Sequence, residues 1–369
     1  MRSLLSPCVI EGLSIRNRVG LSPMCTYCAQ DGQPSDWHLV HLGARALGGV
    51  GLVCVEATAI ESRGRVTPYD LVLASAASVP AFARLARFLR EQGATAAIQL
   101  SHAGRKACRS RPWEGDLPID VDAGGWEIVA PSPIAFGAGY ATPVELSRSD
   151  IHAIIEQFAA SARYAVDAGF QLVELHAGHG RLLHSFCSPI SNHRTDAYGG
   201  SFQNRIRMLL ECVEAVHASL RRQALLAVRL SVIDWAPDGW SLDDSIELAA
   251  ILKGAGVALI DCSSGGIVRP LRVSTAPGYQ VPFAAAIRQR VGIATAAVGR
   301  ITDCAQANAI IAREDADMVL LGRALLANPH WLLRMSEAPG SPAHALVPPQ
   351  YMKAAQSLAS YQLEHIPEL

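Results

Sequence analysis

The sequence predicts a single α/β domain built as a TIM-type (β/α)8 barrel. Two observations carry that expectation. Eight short apolar runs recur along the 369 residues with helix-patterned stretches between them, and polar or unusual residues gather just after the runs. A parallel strand covered on both faces reads as a near-continuous apolar run, and the reactive groups of an α/β barrel sit at the carboxyl ends of its strands.

In order, the runs occupy residues 18–21, 51–55, 95–100, 171–175, 225–230, 257–260, 293–298 and 317–321. Each is too short for a typical helix and is closed by Gly, Ser, Pro or a polar residue. The stretches between them carry the helical period, as across 151–168. Asp243 and Asp244 place acids in the first turn of a helix that Gly254 and Gly256 end. Residues 103–149 depart from this rhythm. Rich in Gly, Pro, Trp and Ser, with Pro131 and Pro133 inside, they are far longer than an ordinary strand-to-helix connection and read as a lid over the barrel mouth. The barrel is thus expected over 1–338, with 339–369 as a C-terminal tail.

Composition narrows the function classes. Half the residues are hydrophobic and 18% are charged, yet no stretch approaches the roughly 20 apolar residues of a spanning helix, so a soluble protein is expected. The amino terminus has no long apolar core or small-residue cleavage site behind Arg2, which reads as cytoplasmic. A net charge of −1 gives no basic field for nucleic acid and points to a small-molecule substrate. Nine scattered cysteines suit a reduced compartment. Cys25 and Cys28 have redox-motif spacing, but no second such pair exists and no carboxylate-rich cluster stands near the histidines, so no metal is expected. Gly137 and Gly139 lack a third glycine and a strand–helix context, so they do not make a dinucleotide fingerprint.

The strand ends supply the candidate chemistry. Ser22, Pro23, Met24, Cys25 and Tyr27 follow the first run, and Glu56 and Ala57 the second. Gln99 lies in the third, His176 and His179 after the fourth, and Arg229 in the fifth, while Ser263 to Gly266 follow the sixth. Gly299–Arg300 and Gly322–Arg323 close the last two, where barrels commonly bind phosphate. Glycine admits close backbone approach, and arginine adds a charged fork.

These strand ends, together with the runs at 13–19, 99–105, 188–205 and 321–331, resemble the Old Yellow Enzyme family of FMN-dependent reductases over nearly the whole chain. The Ser22 to Tyr27 segment is similar to the thermophilic-type and xenobiotic reductases within it. The resemblance implies FMN held by backbone around Pro23, Met24 and Ala57, with Gln99 and Arg229 on its pyrimidine edge and Gly299, Arg300, Gly322 and Arg323 on its phosphate. It implies NAD(P)H as hydride donor, Cys25 as a tuning group near the reactive edge, and an α,β-unsaturated carbonyl, nitro or quinone acceptor whose oxygen meets His176 and His179. It also implies a homodimer or higher homo-oligomer, because residues 348–353, ending in Lys353, resemble a tail that carries a basic or aromatic residue into a neighbouring substrate site.

One position breaks the pattern. Where the family commonly has a proton-donating tyrosine, this chain has Arg181. A guanidinium stays charged in proteins and is a very poor proton donor, but its fork suits a carboxylate, phosphate or phenolate. Two readings stand: Arg181 pairs with a loop acid and leaves Tyr27 or water as donor, or it anchors substrate directly. An enzyme specialised for an anionic substrate, by desaturation or aromatisation, is therefore an alternative to the ene-reductase. A flavin-free barrel lyase or isomerase using the phosphate site for substrate is another, and a noncatalytic flavin-binding protein a third.

Overall fold

The computed structural model describes all residues except 1, 270–272, 274, 337–344 and 354–369. Eight parallel strands close into one barrel, each hydrogen-bonded to its neighbours in chain order. They are β1 (Val19–Leu21), β2 (Leu52–Ala59), β3 (Thr95–Ser101), β4 (Leu172–Ala177), β5 (Leu225–Ser231), β6 (Leu259–Ser263), β7 (Ala294–Ala297) and β8 (Met318–Leu321). β8 closes on β1 through Val319↔Val19 and Leu321↔Leu21. All eight expected strands are present, with bounds that differ by a few residues. The largest difference is in β2, which runs on to Ala59 through a register shift between Val55 and Thr58. A bulge at that point re-aims side chains, and it falls on Glu56 and Ala57 at the rim of the mouth.

Inward-facing residues fill the barrel as a packed core. An antiparallel hairpin, Cys8–Ile10 with Leu13–Ile15, contributes to the same cluster: Cys8, Ile10 and Ile15 pack with Leu52, Ala97, Leu172, Leu259, Met318 and Leu320. Each fully buried aliphatic side chain of this kind stabilises the fold by about 1.5–3 kcal/mol. The outer faces of the strands pack on the helices. In α3 (Arg148–Asp167), Ile151, Ile154, Ile155, Phe158, Ala162 and Ala165 are buried at helical spacing. Ser147 starts that helix, accepting from Asp150 N at 3.1 Å while Asp150 accepts from Ser147 N at 3.0 Å.

The long segment after β3 is a small layer of three short 3-10 turns and a two-stranded pairing of Val129–Ala130 with Val144–Glu145. Ala103, Ala107, Cys108 and Ile128 give it a core of its own, with Val66, Ile119 and Trp126 packed against it. Of the tail, residues 345–353 are described. Leu346 lies against Gly49, beyond the carboxyl end of α1 (Asp36–Leu47), on the side of the barrel away from the mouth. Among the described residues, no helix is long and apolar enough to cross a membrane.

Candidate active site

At the carboxyl ends of β5 to β8 a cavity of about 400 Å³ opens, lined by Ser22, Arg229, Ser263, Gln280, Gly299, Arg300, Gly322 and Arg323. Its glycines are there for backbone reasons. Gly299 has φ 107°, and a Cβ on it would stand 2.9 Å from Gln280 Nε2. Arg300 and Arg323 are exposed at the rim, and Arg300 donates to the carbonyl oxygen of Thr275. Two glycines and two arginines around one opening fit a phosphate group.

Beneath the opening lies a polar layer. Arg229 donates to Ser22 Oγ at 3.0 Å, and its Nε stands 3.2 Å from Asp261 Oδ2. Gln99 Nε2 donates to Glu174 Oε1 at 2.7 Å. Strand register sets Gln99 opposite Glu174, and Arg229 opposite both Asp261 and His176. This gives a charged, water-poor floor suited to the pyrimidine edge of a flavin, where reduction places negative charge.

The two histidines meet at one wall of the mouth. His176 is the last residue but one of β4 and is buried; His179 sits in a turn with φ 55°, its N–H donating to Ser231 Oγ at 2.8 Å. Gly178 and Gly180 make that turn possible, since a Cβ on Gly180 would come within 2.3 Å of Gly266 O. Gly180 N donates to His184 Nδ1 at 2.9 Å, and His184 in turn pairs with the buried Asp234 at 2.9 Å. Burial, followed by the nearby His179 and Arg181, pushes the His176 imidazolium well below the usual histidine range. Burial and then Arg229 do the same for His179. Both rings are therefore neutral near pH 7, and each can offer one N–H. His179 Nε2 lies 2.7 Å from Ser263 Oγ, while the buried His176 Nδ1 has no hydrogen-bond partner among the described residues.

Arg181 acts electrostatically on both histidines and on Cys25 and Tyr27, and so joins the two groups. Burial, then Asp70 and Glu56, raises the Cys25 thiol to about 12, so it remains a neutral, polarizable sulfur. Tyr27 is raised as well, by burial and Cys25, against the pull of Arg181, and stays a phenol. It stacks edge-on with Trp113 of the lid at 6.1 Å. Glu56 holds this segment by accepting from Thr26 N at 2.9 Å and Thr26 Oγ1 at 2.7 Å.

Arg181 is half-buried at the start of α4 (Leu182–Cys187). Its Nε is buried and meets no hydrogen-bond partner among the described residues, and no acidic side chain among them forms an ion pair with it. The acid that acts on it electrostatically is the buried Asp70, whose carboxyl Arg181 pulls down against burial without a direct ion pair. Lys106, beside it, donates to His179 O at 2.7 Å and Gly266 O at 2.6 Å and lies 3.9 Å from the centre of the Phe136 ring. Burial, then Arg181, Arg105 and Arg269, lowers the Lys106 ammonium well below the usual lysine range.

Comparison with known proteins agrees with this geometry. The model of the NADH:flavin oxidoreductase / NADH oxidase family matches residues 3–339. The chain belongs to this family. It is similar to an NADPH dehydrogenase of Geobacillus sp. (strain WCH70), 44% identical over 330 residues, 89% of this chain and 92% of the relative. It is 42% identical to an NADPH dehydrogenase of Bacillus subtilis (strain 168) over the same shares of both chains. Among solved structures, morphinone reductase superposes with a TM-score of 0.76 at 26% identity, covering 89% of this chain and 88% of that one. The flavin oxidoreductase thus uses FMN and a nicotinamide nucleotide on a TIM barrel.

The expected site residues divide by place. Arg229, Gly299, Arg300, Gly322 and Arg323 line one cavity, with Met24 Sδ 3.1 Å from where a Gly322 Cβ would stand. Gln99 joins the floor, Pro23 and Ala57 follow β1 and lie in β2, and Cys25, Tyr27, His176, His179 and Arg181 surround the mouth. Lys353 is exposed in the tail, which lies away from the mouth of its own chain. Sequence reasoning gave no role to Gln280, Lys106, Glu174 or Asp261. Glu174 sits inside the apolar run 171–175 and Asp261 directly after the run 257–260, and only the inward alternation of β4 and β6 signals that they face the barrel interior.

Proposed function

We propose that the flavin oxidoreductase passes hydride from NADPH through FMN to an α,β-unsaturated carbonyl, nitro or quinone-like acceptor. The observation that carries this reading is the neutral pair His176 and His179, stationed between the cavity floor at Arg229 and the mouth. The residues fit FMN: a glycine-lined, arginine-rimmed opening for its phosphate, and Arg229 and Gln99 for its pyrimidine edge. FMN, when bound, supplies the hydride relay between the nucleotide and the acceptor.

The chain's own groups do the rest. N–H donors of His176 and His179 orient the acceptor oxygen and withdraw electrons from the conjugated bond, which is strong catalysis in a site shielded from water. Arg229 carries fixed positive charge beneath the pyrimidine edge. Tyr27, held as a phenol beside Cys25 and Arg181, or a water molecule, supplies the proton where the acceptor needs one on carbon. Arg181 cannot do so.

A second reading has a specific observation behind it. The half-buried Arg181, whose Nε has no hydrogen-bond partner among the described residues and which lies next to Lys106, favours an acceptor or a desaturation substrate that carries a carboxylate or another anion. Anaerobic reoxidation of the reduced flavin by cyclohexenone, a nitroalkene, a quinone and a carboxylated enone tests both. Reoxidation by none of the four would sink the assignment, and a clear preference for the carboxylate would select the second reading.

A further inference from the structure

Two carboxyls lie in the barrel interior below the mouth. Glu174 is 2% exposed and Asp261 not at all, and neither oxygen of Asp261 makes a well-directed hydrogen bond. The groups that face them are few. β2 contributes the Cys54 thiol, β3 the neutral Gln99, β4 His176 and β5 Arg229, with Ser22 following β1. β7 and β8 contribute only the apolar Ala296, Met318 and Leu320. One guanidinium therefore serves two carboxyls in a space closed to bulk solvent. Like-charged carboxyls in such a space cannot both ionise at neutral pH, and the pair holds a proton.

We propose that Glu174 is a protonated positioning residue that couples reduction of the flavin to a proton. The inference rests on the placement of FMN over Gln99 and Arg229 given above. With Glu174 neutral, the charge of Arg229 is shared between Asp261 and the negative charge that arrives at the pyrimidine edge with the hydride. With Glu174 ionised, the same guanidinium faces three negative charges, and reduction becomes harder. Reduction above the titration point then draws one proton from solvent onto the Glu174 carboxylate. No bond to substrate forms or breaks in that step. Burial, then Asp261, raises Glu174 to about 8 against the opposing pull of Arg229 and Gln99. The reduced flavin raises it further, so the extra proton is taken up above that pH.

The test is the FMN potential of the holoenzyme against pH, with Glu174→Gln and Asp261→Asn beside wild type. Above about pH 8, wild type should steepen by about 30 mV per pH unit, the value of one proton per two electrons. Glu174→Gln keeps an acceptor for Gln99 and should show no such break, while Asp261→Asn should move the break to lower pH. Infrared spectra should show a protonated carboxyl band in wild type at neutral pH that is lost in Glu174→Gln and fades as the pH rises through the break. Parallel potential curves in wild type and Glu174→Gln, with FMN retained in both, would overturn the coupling. Absence of the infrared band from wild type would overturn it whatever the flavin does. Unchanged FMN retention and reduction in Arg229→Ala would instead show that the flavin lies elsewhere, and the coupling falls with that placement.

Discussion

His176 Nε2 stands 3.4 Å from His179 Nδ1, with the two rings inclined at 73°. Two neutral imidazoles that close and that inclined converge on one small region of the mouth. On the proposed function a substrate oxygen entering there meets both rings and competes with Ser263 Oγ, which lies 2.7 Å from His179 Nε2. Replacing both residues, His176→Ala with His179→Ala, should slow reoxidation of the flavin by an enone by about 2–4 kcal/mol of transition-state stabilisation. Reduction by NADPH should be comparatively intact. Stopped-flow measurement of the two half-reactions separates these effects, and normal enone turnover in the double variant would place the oxygen elsewhere.

Glu56 gives a stability prediction. Burial raises it to about 7, against the hydrogen bonds from Thr26, and His38 Nε2 stands 3.8 Å from its Oε2. Its folded-state pKa lies above the unfolded carboxyl value, so the folded protein binds the proton more tightly. Its contribution to stability is thus fully present below the unfolded pKa and is lost as pH rises toward about 7. The loss is about 1.4 kcal/mol per unit of pKa difference. Glu56→Gln should flatten the pH dependence of the melting temperature across that window and melt higher than wild type above it. Superimposable melting profiles from mildly acidic to neutral pH would refute the assignment.

The barrel was legible in the sequence because strands buried on both faces, such as 171–175, have no polar face to break the apolar run. What escaped is tertiary. The bulge that turns Glu56 and Ala57 toward the mouth is a one-step register shift with no compositional mark. Gln280, which braces Gly299 and accepts from Ser264 Oγ at 2.5 Å, lies in a turn before α7 (Val281–Val291) with no motif around it. The Arg181 substitution is visible at once in the sequence. That its buried Nε meets no hydrogen-bond partner among the described residues could be learned only from what surrounds it.

The tail invites a test of assembly. Tyr351 is 48% exposed and Lys353 is exposed, on a short turn near the end of the barrel opposite the mouth. That position suits a reach to a neighbouring subunit better than to the chain's own mouth. Deleting residues from 348 onward should lower the association state seen in sedimentation and raise KM for the acceptor. A truncated monomer with native kinetics would exclude the reach.

The proposed function makes Arg181 a determinant of acceptor choice, and that expectation can be tested. A guanidinium supplies a fixed charge and a two-pronged fork but no proton at neutral pH, whereas a tyrosine, with a pKa near about 10, can donate one. Arg181→Tyr should therefore speed the reduction of cyclohexenone, where a carbon must be protonated. It should change quinone reduction little, because both hydrogens of the product quinol sit on oxygen. A carboxylated enone should bind more weakly to the variant, since a buried or half-buried charge-assisted pair is lost and Lys106, engaged with two carbonyls, cannot replace it. Flavin reoxidation rates and deuterium uptake from solvent report the first two effects, and the concentration dependence of reoxidation reports the third. If wild type reduces cyclohexenone as fast as the variant and shows no preference for the carboxylate, Arg181 has no part in acceptor choice and the proton comes from Tyr27 or water.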